Sequence, residues 1–153
     1  MNSSKILFFI FLMCSYVNYV FAGDSVSSLT KEYNNLFIKY GRDVVMGKTS
    51  SQFASSLPIT IDADLRVEAI AYASGTITHT RIVYSELGYM LERNKLSRKE
   101  AKELLKKFSI KELCTTPDSR ALLNNGITYT YNYYSNDRVF LFTNSFSIKE
   151  CKE

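Results

Sequence analysis

Apolar residues recur along this chain with two different periods, and the changes of period mark its elements. Between residues 24 and 48, Leu29, Tyr33, Leu36, Phe37, Tyr40 and Val44 return at three- and four-residue spacing, which is one face of a helix. Ser28 is placed to cap it, with Lys31 and Glu32 in the first turn. The helix is expected to fade near Gly41 or Gly47 into a Ser/Thr-rich connector over residues 49–56.

From Leu57 and Pro58 onward the period becomes two. Residues 57–84 are β-branched and alternating, and Ser74 and Gly75 supply a natural hairpin turn. A turn there pairs Leu65 with Tyr84, Val67 with Ile82 and Glu68 with Arg81, which puts apolar pairs on one face and opposite charges on the other. Ile70 with His79 and Tyr72 with Ile77 make that second face partly apolar, so a cover at one end is expected. Residues 85–94 read equally as helix or continuing strand. A helix then opens at the capping box Ser97–Glu100, with Ala101, Leu104, Leu105 and Phe108 as its buried stripe.

The final stretch runs from Cys114 to Cys151. Thr116 is the expected N-cap, Pro117 stands at the first helical position, where its missing N–H is harmless, and Asp118 suits the helix dipole. Leu122 and Leu123 point inward and Gly126 ends the helix in the left-handed region. Ile127, Tyr129, Tyr131 and Tyr133 then alternate strictly with Thr128, Thr130 and Asn132. A two-residue turn at Asn136 and Asp137 pairs Tyr133 with Phe140, Tyr131 with Phe142 and Ile127 with Phe146, giving one buried aromatic face. The sum is an α+β fold in the order α-β-β-α-α-β-β. It comprises an antiparallel sheet of about four strands, in two hairpins, with helices packed on one face.

Composition and charge narrow the class. A chain of 153 residues is one domain at most. Residues 1–22 have the form of a cleaved signal peptide: Lys5, an apolar run over residues 6–16, and Val20, Phe21, Ala22 before the cut. The run is short for a span of about 20 residues, and Leu12 and Met13 before Cys14 lack the small residue a lipidated cysteine wants. Residues 23–153 then form the domain. They hold 18 Lys+Arg (19 less Lys5) against 15 Asp+Glu, a mild excess that by itself implies no nucleic acid. Two cysteines remain, Cys114 and Cys151, and in an exported chain an even pair reads as one disulfide. It would close a loop of about 38 residues.

The series Cys114, Pro117, Arg120, Leu122, Leu123, Gly126, Tyr129, Tyr131, Phe146 and Cys151, with the L-P-x-x-I-D stretch at residues 57–62, resembles the quorum-sensing-regulated virulence factor family of Gram-negative bacteria. The likeness covers about the last 95 residues and is carried by structural positions. It implies a small secreted or periplasmic protein with no catalytic residues.

Candidate chemistry is sparse. His79 is the one histidine, in mid-strand, with no nucleophile motif and no ligand-spaced neighbours. Asp62 and Asp64 stand at i, i+2 without the further carboxylates of a calcium loop and read as turn residues. Arg120, beside the disulfide, reads as a brace to carbonyls or a carboxylate across the hairpin, or else as a partner contact. The tyrosine strand reads as core, since single-stranded nucleic acid would want basic residues among its aromatics. The helix is strongly basic: Arg93, Lys95, Arg98, Lys99, Lys102, Lys106, Lys107 and Lys111 face only Glu100 and Glu103. That row is a solvated face, or a footprint for an acidic protein or an anionic membrane surface. The reading is a non-enzymatic, periplasmic or secreted factor, without metal or cofactor, that binds another protein through Arg98, Lys99, Lys102, Lys106, Lys107 and Arg120. An immunity protein that blocks a toxin enzyme is the alternative, and a hydrolase with a site scattered in sequence a weaker one.

Overall fold

The computed structural model describes residues 25–93 and 95–151; the expected signal peptide lies outside them. In chain order the elements are α1 (Val26–Tyr40), α2 (Arg42–Ala54), β1 (Ile59–Thr60), β2 (Leu65–Ala73), β3 (Thr76–Val83), α3 (Ser85–Glu92), α4 (Arg98–Thr115), α5 (Pro117–Asn124), β4 (Thr128–Tyr134) and β5 (Phe140–Phe146), followed by a 3-10 turn, Ile148–Glu150. No helix among the described residues is long and apolar enough to cross a membrane.

The N-terminal helix is two helices. Ser25, rather than Ser28, caps α1 by accepting from the Ser28 amide, and Gly41 ends it at φ +84°. The expected connector is instead the second half of α2. The hydroxyls of Thr49 and Ser51 fold back onto the Val45 and Gly47 carbonyls, both at 2.9 Å, which lets a Ser/Thr-rich run remain helical. The break at Gly41 also ends the amphipathic stripe. Tyr33 and Phe37 pack against the core, whereas Tyr40 and Val44 are exposed and Met46 becomes the buried residue of α2, over β2.

The sheet has five strands in the order β1-β2-β3-β4-β5, and β3 lies parallel to β4. This corrects the expectation of about four antiparallel strands. β1 is only two residues long, too short to show an alternation. Parallel neighbours need a long crossover, and the segment from β3 to β4 carries α3, α4 and α5. The helices do lie on one face of the sheet. The other face carries Thr76, Thr78, Thr80, Thr128, Thr130 and Ser145, whose hydroxyls pair across strands at Thr76–Thr128 (2.9 Å) and Thr130–Ser145 (3.1 Å).

Both hairpins differ from expectation in an instructive way. Ser74 and Gly75 make the two-residue turn, each at positive φ, and Tyr72 pairs with Ile77 and Ile70 with His79. A bulge between Val67 and Ala69 then shifts the register by one, so Val67 faces Arg81 and Leu65 faces Val83. The cause is a change of parity in the apolar pattern. Leu65 and Val67 are odd positions while Ile70 and Tyr72 are even, and one extra residue lets all four meet the odd-numbered inward series of β3. In the second hairpin the loop is longer than the expected turn, with Arg138 at φ +65°, and Tyr133 pairs with Phe142, Tyr131 with Asn144 and Tyr129 with Phe146. That register differs by two residues from the expected one, and a shift of two leaves every side chain on the same face.

The helix start, its stop and the disulfide of the C-terminal stretch are where they are expected, although Thr116 stands at the N-cap without a side-chain hydrogen bond. Pro117 opens α5, and Gly126 at φ +76° closes it. The Gly126 amide bonds to Leu123 O and the Ile127 amide to Leu122 O, a Schellman stop. Cys114 and Cys151 are bonded, with Cα atoms 5.4 Å apart and a sequence separation of 37. The chain-entropy contribution of a loop of this length is about 4 kcal/mol. Replacing both cysteines by serine should lower the free energy of unfolding in urea by about that amount, or by about half of it if the reduced chain keeps residual structure. Equal midpoints for the oxidised and doubly substituted proteins would show that the bond holds nothing.

Candidate partner-binding site

Alternation along β3 sends Ile77, His79, Arg81 and Val83 to the helix-covered face, level with Tyr129, Tyr131 and Tyr133 of β4. An arginine is thereby carried into the core. Arg81 is 1% exposed, its guanidinium carbon sits 3.6 Å from the centre of the Tyr131 ring, and its Nη1 lies 3.5 Å from Oε2 of Glu112 on α4. The ring face and the carboxylate answer a charge that would otherwise be very costly to bury. The expected cross-strand pair of Glu68 with Arg81 does not form. With the bulge beside it, Glu68 turns to the open face, where it pairs with Arg66 and, at 3.5 Å, with Arg138.

Helix α4 is keyed to this cluster. Its capping box forms as expected, with Ser97 Oγ accepting from the Glu100 amide and Glu100 accepting from the Ser97 amide. One helical turn before Leu113, Ser109 is fully buried and its hydroxyl meets Tyr133 at 3.1 Å. The buried stripe is therefore Ala101, Leu105, Ser109 and Leu113. The expected stripe fails at two places: Leu104 is 53% exposed and Phe108 46%. Glu112 and Ser109 must face the sheet, and that phase rotates Leu104 and Phe108 to the flank.

At 3.6 residues per turn the two flanks of α4 differ in chemistry. Leu104, Phe108 and Lys111 succeed one another on one side, with Lys107 next to them. Lys99, Lys102 and Lys106 succeed one another on the other, which lies towards β5: Asn144 Nδ2 donates to the Lys102 carbonyl at 3.1 Å, and Lys106 is close enough to Glu150 to help hold its carboxyl below the usual range, after the bonds from Ser147. Of the residues singled out from sequence, Arg98, Lys99 and Lys107 are exposed, and Lys102 and Lys106 are partly buried. Arg120 sits on α5, partly buried, and its guanidinium makes no ion pair or hydrogen bond among the described residues, so the expected brace is absent there. Arg81 is a buried arginine with such a contact, and Arg66 and Arg138 pair with Glu68 nearer the surface.

The remaining candidates take quiet roles. Asp62 is a turn residue, its Oδ1 accepting from the amides of Asp64 and Leu65 at 2.8 and 2.9 Å. His79 stacks on Tyr131 at 4.8 Å, its Nδ1 is buried without a hydrogen-bond partner, and burial followed by the Arg81 charge lowers its pKa to about 3. A group so poorly basic is a weak general base at neutral pH. Burial and, behind it, the Asp118 carboxylate that accepts from Tyr33 push the Tyr33 hydroxyl well up. Among the described residues no group of three or more His, Cys, Asp or Glu could hold a metal. Among the described residues, clefts open to solvent include one of about 320 Å³ bounded by Val83, Leu91, Leu96, Val139 and Leu141, and one of about 540 Å³ bounded by Phe37, Ile38, Arg42 and Asn124. Neither is lined by Asp62, His79 or Arg120.

The sequence missed Leu104 and Phe108 as surface residues because apolar residues at helical spacing read as core. One signal was available: Ala101, Leu105, Ser109 and Leu113 form an unbroken i+4 series that competes with it.

No family model and no curated protein matches the chain. Solved structures do resemble it. A protein from Pseudomonas aeruginosa described as secreted matches with a TM-score of 0.55 and 14% identity, over 86% of this chain and 99% of that one. The pilotin of the Vibrio vulnificus type 2 secretion system matches with a TM-score of 0.59 and 13% identity, over 83% and 98%. The type II secretion pilotin AspS from Vibrio cholerae matches with a TM-score of 0.56 and 13% identity, over 81% and 99%. The chain has the fold of these three proteins across nearly their whole lengths.

The buried histidine makes stability pH-dependent with a definite sign. Its folded pKa, about 3, lies below the ordinary 6.5, so the unfolded chain takes up the proton first and stability falls as pH drops from 6.5 towards 3. The slope from this group is at most about 1.4 kcal/mol per pH unit. His79→Phe, which keeps a ring against Tyr131, should flatten the dependence between pH 6.5 and 4 by about that slope in chemical denaturation. Parallel curves for the two proteins would rule the assignment out.

Proposed function

We propose that this chain is an exported, non-enzymatic accessory protein that works by holding a segment of another protein, in the service of a secretion apparatus. Three things support the reading: the signal-like pattern of residues 1–22, the fold held in common with two secretion pilotins, and the surface of α4. The observation that carries it is the pair Leu104 and Phe108. Two large apolar side chains, one turn apart and each about half exposed, stand on a helix whose neighbouring positions are Lys107 and Lys111. A partner segment with apolar side chains one helical turn apart and carboxylates beside them would cover that flank. Compartment follows from the same reading: periplasmic or secreted.

An inhibitor of a toxin enzyme would be a protein-binding factor of the same kind, and the partner's identity separates the two. Pull-down from the native periplasm with the oxidised protein should recover a component of a secretion apparatus. Leu104→Asp with Phe108→Asp should remove that capture, since hot-spot apolar anchors are worth about 2 kcal/mol or more each. Lys107→Glu with Lys111→Glu should weaken it and lessen its salt sensitivity. Capture undiminished by the aspartate pair would dismiss this surface, and capture of a toxin enzyme would favour the inhibitor.

A further inference from the structure

The sheet ends in a strand that carries almost no protection. β5 is last in the strand order and is bonded to β4 alone, and among the described residues no backbone group of Phe142–Phe146 bonds to anything on its outer side. Edge strands are ordinarily blunted by charge, proline, brevity or a bulge. The opposite edge follows that pattern, with β1 only two residues long and the bulge of β2 beside it. β5 reads F-L-F-T-N-S-F: seven residues, without charge or proline, and its one irregularity lies at its start, next to Leu141. Beyond that point a run of free amides and carbonyls faces outward.

The flank above this edge is mainly basic, with Glu103 at its solvent side. Lys99, Lys102 and Lys106 line the side of α4 towards β5, and Lys149 follows at the strand's far end. Glu150 is already engaged, by Ser147 and by Lys106. On the opposite face the strand shows the half-exposed Phe140 at its start, followed by Thr143 and Ser145. An added strand would thus find lysines over one row of its side chains and small hydroxyl groups beside the other.

We infer that β5 is a docking edge for an extended acidic segment of a partner protein, which joins the sheet as a sixth strand with its carboxylates turned under α4. Backbone hydrogen bonds supply the adhesion and the alternating side chains the selectivity. A second copy of the chain fits worse, because pairing β5 with β5 about a two-fold axis would bring two lysine-bearing flanks of α4 together. The inference rests on the protein-binding reading above but uses the other flank of the helix, so the two fail separately.

The test uses the oxidised protein and a fluorescein-labelled peptide of about eight residues, a strand's length, alternating Val and Glu. The peptide should bind at low salt and slow amide exchange within residues 142–146. A Val-Lys peptide, and a Val-Glu peptide N-methylated at every second residue, should each bind at least about tenfold more weakly. Lys102→Glu with Lys106→Glu should cost about tenfold as well, while Leu104→Asp with Phe108→Asp leaves affinity within about twofold. The proposal is overturned by no binding at about 1 mM peptide, by indifference to N-methylation, or by protection that appears on α4 and not on β5. It is equally overturned if sedimentation shows a dimer that protects the same β5 amides, since a second copy then occupies the edge.

Discussion

A positive charge buried against a tyrosine ring governs much of this structure. Arg81 reaches the core because β3 alternates inward at odd positions, and once there it needs both a π face and a counter-charge. Tyr131 supplies the first from β4, and Glu112 the second from α4. Accommodating the guanidinium, whose Nε and Nη1 make no hydrogen bond among the described residues, therefore joins three elements that are distant in sequence and bears on the rotation of α4 about its own axis. With Glu112 and Ser109 turned to the sheet, Leu104 and Phe108 have no room beneath the helix. The exposed apolar pair is a by-product of an internal electrostatic demand. It is not a lapse in patterning.

That dependence explains what could be read in the sequence and what could not. Features decided within a few residues were legible: the capping box at Ser97, the stop at Gly126, the turn at Ser74 and Gly75, and the buried row of Tyr129, Tyr131 and Tyr133. The disulfide was legible too, because only two cysteines follow the expected cleavage point. Features decided by packing across the fold were not. The parallel meeting of β3 and β4 is separated in sequence by three helices, and no local pattern encodes it. The bulge near Glu68 was written in the sequence as a change from odd to even apolar positions, yet a straight hairpin with a Glu68–Arg81 pair looked equally sound. The helical state of residues 49–54 depends on hydroxyls returned to carbonyls, which composition alone reads as a linker.

Charge on α4 falls into two margins with different neighbours, one beside an apolar pair and the other beside a bare strand edge. The sheet's far face behaves differently again. The hydroxyls of Thr76 and Thr128, and of Thr130 and Ser145, pair across strands, and Thr143 donates to Asn132 at 2.7 Å, so these groups are already met within the sheet. Positive charge is gathered instead on the helical side, where long-range electrostatics act on the rate at which any charged molecule is met.

The bond between Cys114 and Cys151 also fixes how the fold takes mechanical load. The two sulfurs short-circuit the chain: a pull on the C-terminus passes from Cys151 directly to the end of α4. Helix α5, β4 and β5 all lie inside the bypassed loop and carry no covalent tension. An edge strand is ordinarily the easiest element to peel from a sheet, one pair of hydrogen bonds at a time. Here β5 cannot be peeled from its own terminus, and force would have to break the packing of α4 on the sheet as a block, including Arg81 and Glu112 beneath it. Tension on this protein meets its most interlocked layer first.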